Sequence, residues 1–86
     1  MPRICQFYGI VIAMFYNDHQ PAHFHATYGE HRALVDIENA EMIAGSLPPR
    51  ASRMVSEWAR MRRAELRSNW NLARRHRPIV KIEPLE

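Results

Sequence analysis

The segment His23-Phe24-His25-Ala26-Thr27-Tyr28-Gly29-Glu30-His31-Arg32-Ala33-Leu34-Val35-Asp36 decides the fold. On either side of Gly29-Glu30, apolar and polar residues alternate with a period of two, the repeat of a strand with one buried face. A glycine-led pair between two such runs signals a two-residue hairpin turn, because the first central position needs a positive φ. That turn sets the register: Tyr28 faces His31, and His23 faces Asp36. One face then collects Phe24, Ala26, Tyr28, His31, Ala33 and Val35, and is expected to meet the core. The other collects His23, His25, Thr27, Arg32, Leu34 and Asp36. A one-residue slip would move the Asp36 carboxylate onto the apolar face, where an unpaired charge is costly, so burial itself argues for this register.

Upstream, the run from Ile4 to Tyr16 is rich in β-branched and aromatic residues and is broken once, at Gly9, which predicts two short strands around a tight turn. Residues 17–21, Asn-Asp-His-Gln-Pro, form a turn-prone connection. Downstream, Met42 to Leu47 predicts one more short strand before Pro48-Pro49 end the sheet. From Pro49 to about His76 the period becomes helical: Ala51, Met54, Val55, Trp58, Met61, Leu66 and Ala73 fall on one side. Arg53, Arg60, Arg67 and Arg74 recur every seven residues on the opposite side, with Arg63 beside them. A continuous helix from Arg53 to Arg74 would run about 32 Å; a break near 62–65 giving two packed helices is the alternative. Pro78 ends the helical segment, and Ile79 to Ile82 predicts a last strand. The expected fold is α+β: an antiparallel meander of four to five short strands, then one long or two short helices packed on one face by Met54, Val55, Trp58, Met61 and Leu66.

With 86 residues the chain is expected to form a single domain, 1–86, divided into a β-rich half (1–47), a helical basic half (49–77) and a strand and tail (78–86). The net charge of +3 conceals an asymmetry. Residues 1–49 carry two basic and five acidic side chains, a net of −3; residues 50–86 carry ten basic and four acidic, a net of +6. Eleven of the twelve basic residues are arginine, suited to bidentate contact with phosphate or carboxylate, so Arg53, Arg60, Arg63, Arg67 and Arg74 form a candidate surface for RNA or a protein partner. The simpler reading is a solvated face held by neighbours such as Glu57 with Arg53 and Arg60. Cys5 is the only cysteine, which excludes an internal disulfide and suits a reducing cytosol. No apolar run approaches the roughly 18 residues of a membrane span, and the N-terminus lacks signal-peptide character, so a cytoplasmic protein without membrane partners is expected. The strand from Ile10 to Tyr16 has two apolar faces and one helical layer covers only one of them, which predicts a homodimer.

Four of the five histidines, His19, His23, His25 and His31, lie within thirteen residues. His-x-His on a strand puts two imidazoles on one side, about 6–7 Å apart, where they can converge on a divalent metal. Asp36 would serve as ligand or orienter, with His19 or Asp18 supplied by the loop; a zinc-like ion with an open water position is the expected occupant. A metal-free reading uses His23 and His25 with Asp36 as acid and base, and Arg32 or a helix arginine to hold a phosphate. A third reading is a half-exposed sheet face whose histidines make ordinary hydrogen bonds. There is no glycine-rich phosphate loop, nucleophile elbow or C-x-x-C pair.

Several stretches together resemble a known family: the N-terminal Met-Pro-x-Ile, residues 7–12 (Phe-Tyr-Gly-Ile-Val-Ile), residues 17–25 (Asn-Asp-His-Gln-Pro-Ala-His-Phe-His), Tyr28-Gly29-Glu30, and the Trp-x-x-x-Arg-x-x-Glu-Leu-x-x-x-Trp spacing from Trp58 to Trp70. They are similar to the small prokaryotic proteins of the domain of unknown function 4160 family, many of which carry a second proline where this chain has Ala22. Such proteins are described as components of toxin–antitoxin pairs, usually the toxin side. The resemblance implies a small cytosolic toxin-type protein with a cognate antitoxin-type partner; the arginine surface suits binding of that partner and of RNA, and the alternative drawn from the histidine-rich residues His19, His23, His25 and Asp36 is a small hydrolase or nuclease.

Overall fold

A computed structural model describes residues 2–16 and 18–86. Five strands come first: β1 (Arg3–Phe7), β2 (Ile10–Ala13), β3 (His23–Tyr28), β4 (His31–Asp36) and β5 (Met42–Gly45); two helices follow, α1 (Pro49–Met61) and α2 (Arg63–Arg74). The strands form one antiparallel sheet in the order β1-β2-β3-β4-β5, a pure meander. The fold is therefore α+β, with every sheet contact between strands adjacent in sequence.

The turn chemistry explains the pairings. Tyr8 and Gly9 both have positive φ (49° and 81°), as the β1–β2 hairpin requires. Gly29 takes φ 59° at the first central position of the β3–β4 turn, and the pairs Tyr28–His31, Ala26–Ala33 and His23–Asp36 follow in the expected register. Ile4, Phe7, Ile10, Ile12, Phe24, Ala26 and Val35 face the helices and are buried with Trp58, whose ring lies 5.6 Å from Phe7 and 5.8 Å from Phe24. β2 ends at Ala13, shorter than the Ile10–Tyr16 strand the composition suggests. The opposite face of the sheet is left without a helical layer, and Val11, Thr27 and Leu34 sit half-buried on it.

The helical segment is two helices. Pro49 opens α1 at a position where a missing N–H does no harm. Arg62, at φ −112° and ψ 21°, interrupts the helical path, and its N–H bonds back to the Trp58 carbonyl at 3.0 Å. The break re-phases the apolar stripe: Ala51, Val55, Trp58 and Ala59 are buried on α1, then Leu66, Asn69, Trp70 and Ala73 on α2. Met61, expected in the core, lies at the end of α1 and is 60% exposed. α2 closes with a left-handed residue, His76 (φ 56°), so that His76 N–H reaches Ala73 O and Arg77 N–H reaches Leu72 O, the paired bonds of a Schellman ending.

Residues 78–86 form no strand, contrary to expectation. The segment instead runs beside β1 with one bond, Ile82 N–H to Ile4 O at 3.1 Å, and side chains hold the rest of it. Asn69 both donates to Val80 O and accepts from Val80 N–H, each at 2.8 Å, and Trp58 Nε1–H donates to Glu83 O at 2.7 Å. These bonds satisfy a buried amide and a buried indole, which no ladder pairing of the tail would have done. Among the described residues no helix is long and apolar enough to cross a membrane.

Candidate metal centre

The connection between β2 and β3 carries Asp18 back over the start of β3, where His23 and His25 share the face of the strand opposite Phe24, His23 covered by Trp70 of α2 and His25 open. His23 Nε2 lies 3.0 Å and His25 Nε2 3.2 Å from the same oxygen, Asp18 Oδ2. One ligand atom from each of the three residues can be chosen so that all lie within 4.8 Å of one another, close enough to share a cation. His23 is nearly buried (side chain 7% exposed), while His25 and Asp18 are open on one side at 27% and 22%.

The surroundings fix the two rings. His23 Nδ1 is 2.7 Å from Pro21 O, and a carbonyl oxygen only accepts, so the ring proton sits on Nδ1. That leaves Nε2, the atom aimed at Asp18, with a lone pair whenever the ring is neutral. A carbonyl that fixes the tautomer of an imidazole in this way is a recurring support for metal-ligating histidines. Trp70 packs against His23 at 5.3 Å between ring centres, and Phe15 packs edge-on against His25 at 4.2 Å. Burial by itself would push the Asp18 carboxyl up. The N–H of His19 (2.9 Å to Oδ1), the hydrogen bond with His25 and the charge of the two imidazoles outweigh it, and the carboxyl is held below its ordinary value. The Cys5 thiol is pushed up by burial in β1, which removes it from consideration as a ligand or nucleophile.

The remaining candidates from the sequence lie elsewhere or act differently. Asp36 occupies the register position opposite His23, but its Oδ1 accepts the N–H groups of Glu38 (2.7 Å) and Asn39 (3.2 Å). A carboxylate that closes its own turn two and three residues on is satisfied locally, so the third member of the cluster is Asp18. His19 contributes its backbone N–H to Asp18, and its side chain is exposed outside the cluster. Arg32 is exposed on the same sheet face as His25, opposite Thr27.

The arginine stripe is divided by the helix break. Arg67 makes a two-pronged ion pair with Glu38, lowering the Glu38 carboxyl and raising the Arg67 guanidinium through that hydrogen bond. Arg63 is half-buried, whereas Arg53, Arg60 and Arg74 are exposed. Among the described residues no ion pair joins Glu57 to Arg53 or Arg60, contrary to the expected neighbour pairing; exposed side chains lose entropy on pairing and gain little in water.

A family model described as a domain of unknown function (DUF4160) matches residues 9–71, which include Asp18, His23, His25, β2 to β5, α1 and most of α2. The chain belongs to this family. The DUF4160 match leaves out β1, with Arg3, and residues 72–86, which hold the end of α2 with Arg74 and the tail that Asn69 binds. Neither the curated proteins nor the solved structures contain a match.

Proposed function

We propose that this protein is a cytoplasmic hydrolase that holds a divalent cation, zinc or a similar borderline ion, with His23, His25 and Asp18. The observation that carries the reading is the pair of acceptors at 3.0 Å: Asp18 Oδ2 faces the Nε2 of a ring whose proton is committed to Pro21 O. Only an imidazolium or a bound cation reconciles those two atoms, and two nitrogens with one carboxylate form a common zinc donor set. With three protein ligands, such a cation keeps a position for water and lowers its pKa, which supplies a nucleophile near neutral pH. Isothermal titration of the metal-free protein with zinc, nickel and manganese tests the reading, followed by assay of the loaded protein on chromogenic carboxylic and phosphoric esters. One ion bound per chain and hydrolysis lost in His23→Gln support it; no uptake at micromolar metal overturns it.

A second reading has an observation of its own. Arg53, Arg60 and Arg74 are exposed and unpaired among the described residues, which suits binding of RNA or of an acidic antitoxin-type partner. On this reading the protein is the toxin-type member of a toxin–antitoxin pair. Reversing Arg53 and Arg60 to glutamate abolishes binding and its salt dependence if it holds, and leaves metal uptake unchanged.

A further inference from the structure

The uncovered face of the sheet carries a second feature beside the metal cluster. The pairings align two rows of side chains across it: Arg3, Ala13, His25, Leu34 and Ala44 in one, and Gln6, Val11, Thr27 and Arg32 in the next. A groove of about 430 Å³ follows these rows, with an apolar floor of Val11, Leu34 and Ala44 and with Phe15 and His25 among its lining residues. Arg3 and Arg32 also line it, and no carboxylate does. Strands lie about 4.8 Å apart, so Arg3 starts about 10 Å across the sheet from His25, and Arg32 is one strand away on the diagonal. Both side chains line the same groove, from strands three spacings, about 14 Å, apart. Among the described residues neither is in an ion pair or a side-chain hydrogen bond.

Two unpaired guanidinium groups above an apolar floor are complementary to a molecule with a flat apolar part and a compact anion. Two forks approaching from different strands match an anion with several oxygens in a tetrahedral array better than a planar carboxylate, which a single fork satisfies. The volume is that of a small-molecule site. His25 belongs both to the groove and to the proposed ligand set, so a molecule lying in the groove abuts the metal position.

We infer that this groove is the substrate subsite of the metal centre and takes an organic phosphate ester, its apolar arm on Val11, Leu34 and Ala44 and its phosphate between Arg3 and Arg32. The inference rests on the hydrolase reading for the word substrate, and its binding test does not need the metal. Phenyl phosphate is titrated into the metal-free protein by calorimetry and by amide NMR shifts, with benzoate and phenol as comparisons. Saturable binding is expected, with shifts confined to the groove lining, Arg3, His25 and Arg32 included, weaker binding of benzoate and none of phenol. Arg3→Gln and Arg32→Gln each weaken phenyl phosphate about tenfold. Failure of zinc uptake with phenyl phosphate binding intact defeats the metal reading and keeps the anion groove. Equal affinity for benzoate overturns the phosphate assignment. Absence of binding overturns the groove, as does a light-scattering mass of a dimer that Leu34→Arg converts to monomer, since a second copy would then be the occupant.

Discussion

Replacing Asp18 by asparagine is predicted to stabilise the metal-free protein while destroying its response to zinc. In the wild type, His23 Nδ1–H is committed to Pro21 O at 2.7 Å, so a neutral ring points a lone pair at Asp18 Oδ2 from 3.0 Å. An asparagine with its oxygen in the Oδ1 place keeps the bond from His19 N–H and turns an amide N–H toward that lone pair. One neutral hydrogen bond in place of two facing acceptors contributes about 1 kcal/mol. In a domain of this size that raises the melting temperature by about 4–8 °C. The comparison belongs at pH 8 with a chelator present. Zinc at a hundredfold over its dissociation constant should stabilise the wild type by about 2.7 kcal/mol and leave the variant unmoved, so the order of the two proteins inverts. Acid supplies a further check on sign. The Asp18 carboxyl is held below its ordinary value, so its contribution is fully present above that value and is lost as the pH falls through the lower, folded-state value. The variant lacks this loss. Differential scanning fluorimetry across pH, with and without zinc, measures all three effects. A variant that melts below the wild type at pH 8 in chelator and still responds to zinc refutes the argument.

Two further substitutions probe the frame around the site. Asn69→Ala removes two 2.8 Å bonds to Val80 and should cost about 2 kcal/mol in urea unfolding, with faster tryptic cleavage at Lys81; an unchanged cleavage rate means the tail is held by something else. Gly45→Ala should destabilise clearly more than Gly29→Ala: both glycines have positive φ, but a Cβ on Gly45 would come within 2.2 Å of Arg32 O, and one on Gly29 meets nothing within 4 Å. Faster exchange of the Ser46 amide, which donates to Arg32 O at 3.0 Å, reports the separation of β4 from β5, and equal losses in the two variants would contradict it.

What the sequence discloses is set by the range of each interaction. The hairpin at Gly29-Glu30 was readable to the residue because a two-residue turn and a period of two leave one register that keeps Asp36 off the apolar face. The strands, the sheet order and the helical half were readable for the same local reasons. Choosing Asp36 over Asp18 as the carboxylate beside His23 was not, because register places backbones and leaves side chains to choose among competing partners. Asp36 closes its own turn, whereas Asp18 arrives from a connection with no periodicity to position it. The break at Arg62, the exposure of Met61 and the capture of the tail by Asn69 depend on contacts between α1, α2 and β1 that heptad spacing does not encode. An asparagine among the apolar positions of a helix, at Asn69 between Leu66 and Trp70, was the one available sign that a buried backbone segment needed a partner.

The meander also sets an order of events. Asp18, His23 and His25 lie within eight positions of one another, and every sheet pairing joins neighbours in the chain. During translation the first four strands emerge with all three side chains before Trp70, which backs His23 in the finished protein, has been made; at about 5–20 residues per second the gap is a few seconds. In that interval His23 is open to solvent, and α2 then covers it with Trp70 as it docks. On the proposed metal reading an ion can therefore meet His23 from either side before α2 docks, and afterwards only from the side where His25 and Asp18 stay open.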